Sequence, residues 1–241
     1  IIISFSRVVV EAHYITDIIG GATIAFIGFK FSKIIVSRTL NINTKNNSYF
    51  IINSKFILVI LFFILLSIFL AIGPTIDIFL SNLFYLGKNQ FLVQSYYAIS
   101  IFFRKIILNL ILVYILVLPI ISFFVPMKNI YYNYHFKIKD IFYIWISTTI
   151  SLVIFINLIF KNMWGRARPN DILEMGGADL FTAWYQISDQ CSSNCSFVSG
   201  DAAVGFSLVI FYFLLKKTIY LWLALFCGLV IGTIRIMEGG H

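Results

Sequence analysis

Long apolar runs, separated by short polar and basic segments, are the dominant pattern of the chain. Several runs approach 20 residues, and a helix of that length crosses a hydrocarbon core of ~30 Å because it rises ~1.5 Å per residue. The strict alternation of a transmembrane barrel strand is absent, so the pattern predicts helices. Six spans are predicted, at about residues 14–37, 56–73, 106–125, 141–160, 200–217 and 218–234.

Composition supports an integral membrane protein. The chain has 241 residues, of which 60% are hydrophobic and 12% charged, and the mean hydropathy is +0.94. A soluble domain of this size could not bury so much apolar surface. We therefore predict an all-α integral membrane protein with a six-helix transmembrane bundle.

Basic residues mark one predicted side of the membrane. Each span reverses the chain, so alternate loops share a side, and lysine-rich loops are retained in the cytoplasm. The net charge of +8 thus reflects span flanks, and no nucleic-acid partner is predicted. The opposite side collects residues 1–13, 75–104, 161–198 and 236–241. The cytoplasmic set is Lys30, Lys33, Arg38, Lys45, Lys55, Lys128, Lys137, Lys139, Lys216 and Lys217.

The first cluster of candidate chemistry, KNMWGRARP, follows the fourth span. It carries Lys161, Arg166 and Arg168 within nine residues. Fixed cations suit an anion, since arginine matches two phosphate oxygens and lysine acts as a point charge. Lys161 and Arg168 are seven residues apart, so they share a face if the helix continues, and Pro169 then ends it. The alternative is that these cations only anchor a span at the interface.

Two further motifs lie at other span ends. Ser199 and Gly200 precede the fifth span, where a serine caps a helix and free amides bind anions, and Asp201 occupies the first turn. Arg235 and His241 are separated by five residues at the end of the sixth span. A histidine there could be a nucleophile or a general base. Taken singly, each motif also fits a plain helix cap or an incidental residue.

Together the three motifs resemble those of the type 2 phosphatidic acid phosphatase family. The family pattern is Lys-x6-Arg-Pro, then Pro-Ser-Gly-His, then Ser-Arg-x5-His-x3-Asp. The first part matches fully here. The second has Val198 for Pro and Asp201 for His, and the third has Ile234 for Ser and is cut before its Asp. The family fold, a six-helix membrane bundle with its site at one membrane face, agrees with the predicted spans.

The resemblance implies a role for each matching residue. His241 would be the nucleophile, Asp201 would stand where the family has its leaving-group acid, and Arg235 would serve the reacting phosphate. A carboxylic acid donates a proton only if its pKa is raised, whereas nearby cations lower the pKa, so a water or structural support is the competing role for this position. The residues implied to hold the phosphate are Lys161, Arg168, Ser199, Gly200 and Arg235.

The Val-Ser-Gly-acid variant, with WGRARP and the Cys-x3-Cys loop, is similar to a bacterial subgroup that acts on lipid A, the 4′-phosphatases. This similarity implies a phosphoglycolipid substrate that enters from the bilayer, a site on the periplasmic face of the inner membrane, a phospho-histidine intermediate, and no metal or other cofactor. The motifs recognise phosphate rather than the lipid. A polyprenyl pyrophosphate phosphatase, a glycerophospholipid phosphatase and an inactive anionic-lipid-binding membrane protein therefore stay open. A transporter is disfavoured because the spans hold few ionisable residues.

Cysteine is scarce. Cys191 and Cys195 share one polar loop, and Cys227 lies inside an apolar run, where it is expected to pack. In an oxidising compartment the loop pair could form a disulfide. A zinc pair is the weaker alternative, because no other Cys or His is near in sequence.

The N-terminus carries a second copy of the third motif. Ser6-Arg7, His13 and Asp17 match it without departure, and an apolar span follows as in the family. We predict three parts: residues 1–38 as the tail of one unit, 39–54 as an Asn-rich linker, and 55–241 as a second unit that lacks its last span. Both ends look cut. The first span either fills the place of the missing one, with Asp17 near the site, or packs outside as an unrelated copy.

Overall fold

The structure is a computed structural model. It describes residues 14–39, 57–58, 61–62, 64–66, 68, 75–88, 90–93, 98, 101–124 and 136–239.

The described residues are mostly helical. Helix α1 is Ile15–Thr39 and the short α2 is Thr75–Asn82. Strands β1 (Tyr85–Gly87) and β2 (Gln90–Phe91) follow, and then come a π-helical segment at Phe102–Ile107 and α3 at Leu108–Phe124. Helix α4 runs over Ile138–Met163, with a π-helical middle. Two 3-10 turns follow at Pro169–Asp171 and Leu173–Met175, and the remaining helices are α5 (Gly200–Phe206), α6 (Val209–Leu215) and α7 (Thr218–Glu238).

Three of the described helices are long and apolar enough to cross a membrane. They are Lys105–Phe124, Ile138–Met163 and Thr218–Glu238, and they match three of the predicted spans. Two shorter apolar helical stretches, Ile15–Phe29 and Gly200–Leu215, match two more. The predicted count of six is not confirmed, because the described helices also include α2 and a division between α5 and α6.

The region between α2 and α3 contains the two β-strands of the described residues. β1 and β2 form an antiparallel hairpin in which Tyr85 pairs with Phe91. Gly87 and Lys88 both have positive φ angles, which suits a tight turn. The expectation of an all-α chain is thus corrected by one small hairpin.

Helix α1 lies inside the bundle rather than outside it. It packs against α4, α5 and α7. A Cβ atom on Gly28 would lie 3.2 Å from the Cβ of Ser151 in α4, and one on Gly232 of α7 would lie 2.6 Å from Ile18. Small residues allow such close helix crossings in membranes. Farther along α1, the Ser32 hydroxyl donates to the Ser147 hydroxyl of α4 at 2.8 Å. The contacts of α1 are thus with helices of the predicted second unit.

The main hydrophobic core joins α1 to α5, α6 and α7. Phe26 and Phe206 are fully buried there, with ring centroids 6.2 Å apart. Outward faces of the long helices are apolar as well, as at Leu110 on α3 and Phe226 on α7. An apolar exterior of this kind suits contact with lipid tails.

Candidate phosphate-binding site at one end of the bundle

Helix α4 ends before the second cation of the first motif. Its last turn is Lys161–Met163, and Gly165 then takes a left-handed φ of +66°. Arg168 is extended, and Pro169 begins a 3-10 turn. Lys161 and Arg168 would share a helical face only if the helix continued to Pro169, and the structure does not meet that condition. The glycine turn ends the helix because left-handed backbone suits glycine and cannot continue an α-helix.

The two cations meet at Asn194 instead. Lys161 Nζ donates to Asn194 Oδ1 at 3.3 Å, and an Nη2 hydrogen of Arg168 is donated to the Asn194 carbonyl oxygen. Asn194 has a φ of +53°, which asparagine tolerates better than most residues. It lies in the loop that the Cys191–Cys195 disulfide closes in the structure. The loop thus brings one lysine and one arginine to the same point.

The Ser-Gly-Asp motif lies beside Lys161. The Ser199 hydroxyl caps α5 by accepting from the Ala202 amide at 3.4 Å. A Cβ atom on Gly200 would lie 3.7 Å from Lys161 Nζ, so the ammonium group rests against this glycine. Lys161 is itself buried, so its ammonium group lies inside the protein at the start of α5.

Arg235 approaches the same motif from α7. Its Nε lies 3.1 Å from Asp201 Oδ2, and Nη1 pairs with Glu238. The side chain is fully buried. Neither Nε nor Nη2 has a properly aligned hydrogen-bond acceptor within the described part of the chain. A buried guanidinium donor without an acceptor is costly, so Nη2 would be stabilised by an anionic ligand.

Arg166, the middle cation of the first motif, has a protein partner on each of its three side-chain nitrogens. Its Nη1 pairs with Asp17 at 2.7 Å and its Nη2 with Asp77 at 2.8 Å. Nε donates to the Thr182 carbonyl at 2.9 Å, and the guanidinium lies 3.9 Å from the centre of the Tyr14 ring. The expectation that all three cations of the motif await an anion is wrong for this residue, because two acidic side chains from distant helices occupy it.

Burial and charge act against each other in this ion-pair cluster. Burial alone would lower the pKa of Arg166, but the Asp17 and Asp77 carboxylates raise it above its ordinary value. Burial raises the pKa of Asp77, and Arg166 opposes that shift. Thr16 assists, since its hydroxyl donates to Asp77 Oδ2 at 2.6 Å. The cluster joins α1, α2 and the loop after α4.

The structure links most of the predicted phosphate ligands by short contacts. Lys161 and Arg168 meet at Asn194, Lys161 borders Gly200, and the neighbouring Asp201 contacts Arg235. Asp17 is adjacent through Ser199, whose amide donates to the Asp17 carbonyl at 3.1 Å. Arg7, His13 and His241 lie outside the described residues.

Sequence reasoning missed two contributors. Asn194 lies in the predicted disulfide loop, but no spacing rule pairs it with two cations. Asp77 lies within residues 75–104, for which the sequence predicted no role in the site. Its signal is its location in the sequence, just after a predicted span and on the predicted motif-bearing side of the membrane. An acid there has a cationic partner within reach once the loops fold together.

An apolar groove of 310 Å³ lies alongside the site. One wall is α1, from Thr16 to Ile24, and another is an aromatic cluster at the end of α4 and the following loop. Rings of this cluster stack closely, with the Trp164 and Phe197 centroids 5.0 Å apart. The groove therefore lies next to both motifs, because Phe160 directly precedes Lys161 and Phe197 lies two residues before Ser199. The aromatic cluster is Phe160, Trp164, Trp184 and Phe197.

Comparisons with known proteins identify the family of the chain. The model of the PAP2 superfamily matches residues 142–241. A lipid A 4′-phosphatase of Francisella tularensis subsp. novicida (strain U112) is 33% identical over 184 residues, 72% of this chain and 79% of the relative. A lipid A 4′-phosphatase of Rhizobium leguminosarum is 36% identical over 95 residues, 38% of this chain and 41% of the relative. No solved structure matches. The expected family is thus confirmed: the chain belongs to the PAP2 superfamily of phosphatases.

Proposed function

We propose that the chain is a membrane-embedded phosphatase that removes a phosphate from a phosphoglycolipid of the lipid A type. The observation that carries this proposal is Arg235. Its guanidinium is fully buried, and its Nε lies 3.1 Å from Asp201 of the Ser-Gly-Asp motif, which also borders Lys161. Among the described residues, Nη2 has no hydrogen-bond acceptor. A phosphate group supplies the oxygen acceptor that this donor requires.

The lipid part of the proposal is supported by the relatives and by the groove. Both relatives described above are named for the 4′-phosphate of lipid A. The groove beside the site is apolar and aromatic, which suits an acyl chain still partly in the bilayer. A soluble phosphate ester would gain nothing from such a wall. We therefore favour an anionic lipid over a soluble substrate.

The proposed reaction has two steps. A histidine nitrogen attacks the phosphorus atom, a P–N bond forms, and the P–O bond to the sugar breaks. The leaving alkoxide takes a proton and departs as the sugar hydroxyl. Water then attacks phosphorus, the P–N bond breaks, and inorganic phosphate leaves while the histidine is restored. The surrounding cations neutralise charge on the phosphate oxygens in both steps. By the family motif the histidine is His241, with His13 as the second candidate.

We assign Asp201 a supporting role rather than that of proton donor. Its carboxylate Oδ2 lies 3.1 Å from Arg235 Nε, so the carboxylate is engaged in an ion pair. It also begins α5, where the dipole favours a negative charge. The leaving-group proton then comes from a water molecule. Asp201 keeps Arg235 turned toward the site.

We place the site on the periplasmic face of a bacterial inner membrane. The lysine-rich loops of the sequence fall on the opposite side of the predicted spans, which is the cytoplasmic side by the charge rule. The Cys191–Cys195 disulfide suits an oxidising compartment. Both features support the same orientation.

A side-by-side assay tests the function. Purified protein in detergent is given lipid A, phosphatidic acid and a prenyl pyrophosphate, each with a chelator present, and phosphate release is measured. The proposal expects the fastest release from lipid A, and loss of release in His241→Ala with retention in His13→Ala. Preference for another lipid would overturn the substrate class. No release from any lipid, in protein that still binds lipid A vesicles, would favour the inactive lipid-binding protein.

A further inference from the structure

We propose that α1 forms part of the phosphate site. Asp17 would be a positioning residue that holds the loop carrying Arg166 and Arg168 against the start of α5. The inference rests on the proposed function for its catalytic consequence, but not for the placement of the helix. In this proposal α1, which precedes the predicted linker at 39–54, completes the predicted unit at 55–241, as in a permuted domain.

The Asp17 side chain makes hydrogen bonds or ion pairs with three residues. Its Oδ1 pairs with Arg166 of the loop after α4 at 2.7 Å, and its Oδ2 accepts from the Ser196 hydroxyl and from the Tyr14 amide. The residue is fully buried. A carboxylate in such a place is stable only while its cation and donors stay in register, so it fixes their relative positions.

The backbone of α1 makes a second, independent connection. The Asp17 carbonyl accepts from the Ser199 amide at 3.1 Å. One turn later a Cβ atom on Gly21 would lie 2.8 Å from the Ser199 carbonyl oxygen, and one on Gly20 would lie 2.6 Å from Val198. Any larger side chain at these glycines would push α1 away from the Ser-Gly-Asp motif. The sequence therefore permits a close contact at the point where α5 begins.

These contacts reach the phosphate ligands through very short paths. Arg166 is two residues from Arg168, and the loop backbone between them is further fixed because the Ser196 amide donates to the Arg166 carbonyl at 3.0 Å. Ser199 directly precedes Gly200, which borders Lys161. Loss of the Asp17 contacts would therefore displace both Arg168 and Lys161. A displacement of ~1 Å at such ligands costs about 100-fold in rate.

Packing along the rest of α1 supports the same placement far from the site. A Cβ atom on Gly28 would lie 3.2 Å from the Cβ of Ser151 on α4. Ile27, the preceding residue, is 47% exposed and points elsewhere. This pair of neighbours offers a matched test that touches neither the ion-pair cluster nor the phosphate ligands.

The placement test is a crosslink in the full chain. Gly28→Cys and Ser151→Cys are introduced together with Cys227→Ser, and a protease site is inserted after Asn47, in the predicted linker. After mild oxidation and cleavage, α1 should remain attached to the larger piece on a non-reducing gel. The matched pair Ile27→Cys with Ser151→Cys should release it. Release from both pairs, or retention by both, would overturn the internal placement of α1, whether or not the protein is active.

The positioning test uses Asp17→Asn in the same crosslinkable protein. We expect an intact crosslink, kcat lower by about 100-fold and KM changed by less than about threefold, since the phosphate donors remain but are misplaced. Asp140→Asn is the control, because Asp140 is a buried helix-capping carboxylate that accepts from the Lys137 amide, far along the chain from the site. Wild-type kcat in Asp17→Asn, or an equal loss in Asp140→Asn, would overturn the role of Asp17.

A more conservative change guards against a variant that does not fold. Asp17→Glu keeps the charge for Arg166 but lengthens the side chain by one methylene. Its kcat should lie between those of wild type and Asp17→Asn. A kcat for Asp17→Glu below that of a folded Asp17→Asn, or equal to wild type, would contradict a role in positioning through the carboxylate.

Discussion

Two arginines, Arg166 and Arg235, are both fully buried at the same end of the bundle, yet they are partnered very differently. Arg166 bonds two carboxylates, a hydroxyl and a carbonyl, and lies over an aromatic ring. Arg235 pairs with Glu238 through Nη1 and with Asp201 through Nε, while Nη2 lacks an acceptor in the described part of the chain. Among the described residues, Arg166 thus has a partner on each side-chain nitrogen, whereas Arg235 has none at Nη2.

This difference separates a structural cation from a binding cation, which burial alone does not. Arg166 sits inside the KNMWGRARP stretch, and Arg235 lies 69 positions farther along the chain. The family motif implies a phosphate-binding role for Arg235 and none for Arg166. The hydrogen bonds support that division, since a guanidinium held by two carboxylates must break an ion pair before it can bind phosphate.

The largest effect is expected from Arg166→Gln. The change leaves Asp17 and Asp77 buried without their cation, and breaking a buried pair in this way costs about 3–5 kcal/mol. Thermal unfolding in detergent, followed by circular dichroism, measures the loss. Asp140→Asn serves as the comparison for removal of a single buried charged group. A melting temperature within error of wild type would show that the cluster does not stabilise the fold.

Arg235→Lys should affect catalysis rather than folding. Lysine keeps a cation beside Asp201 and Glu238 but loses the forked donors, so kcat should fall about 100- to 1000-fold, as when one preorganised donor is removed elsewhere. The melting temperature should change little. Lipid A hydrolysis and circular dichroism on the same sample test both parts. Near-normal turnover would remove Arg235 from the site.

Substitutions at Asn194 test whether Lys161 and Arg168, which both contact it, border the phosphate. Asn194→Asp places a carboxylate against Lys161 and Arg168, where it competes with phosphate, and KM should rise about tenfold. Asn194→Gly keeps the backbone acceptor and suits the positive φ, so its KM should stay within about threefold of wild type. Steady-state kinetics on lipid A compare the two. Equal KM values for both variants would show that Asn194 does not border the phosphate.

The smallest effect is a pH dependence of stability. The cluster holds two carboxylates and one guanidinium, and burial raises the pKa of Asp77. A folded-state pKa above the unfolded value means that the folded protein binds the proton first, so this group adds stability as the pH falls and loses it as the pH rises through the folded pKa. The melting temperature of wild type should therefore rise, relative to Asp77→Asn, between about pH 7 and about pH 5. Parallel curves for the two proteins would contradict the shift.

Much of the architecture could be predicted from the sequence, because span length and loop charge obey simple physical rules. The spans at 106–125, 141–160 and 218–234 correspond to long apolar helices. The internal position of α1 could not be decided from its apolar pattern, since a helix in lipid and a helix in the bundle are both hydrophobic. Its glycines indicate close packing, but only the structure identifies Ser151 and Ser199 as the neighbours.

The site was predictable in its residue types but not in its pairings. Lys161, Arg168, Gly200 and Arg235 follow from motif spacing. The partner of Arg166 lies 149 residues away in the chain, and no periodicity relates positions at that separation. The sequence also left open whether the helix continues to Pro169, because Gly165 can be accommodated in a helix or can end it, and tertiary contacts decide.

The central claim is that Arg235, and not Arg166, supplies an open donor to the phosphate group. Orthovanadate binding, measured by titration calorimetry on purified wild type, Arg235→Lys and Arg166→Lys, tests it most directly. We predict at least about tenfold weaker binding in Arg235→Lys, and binding within about threefold of wild type in folded Arg166→Lys. Wild-type affinity in Arg235→Lys, together with lost binding in folded Arg166→Lys, would contradict the account.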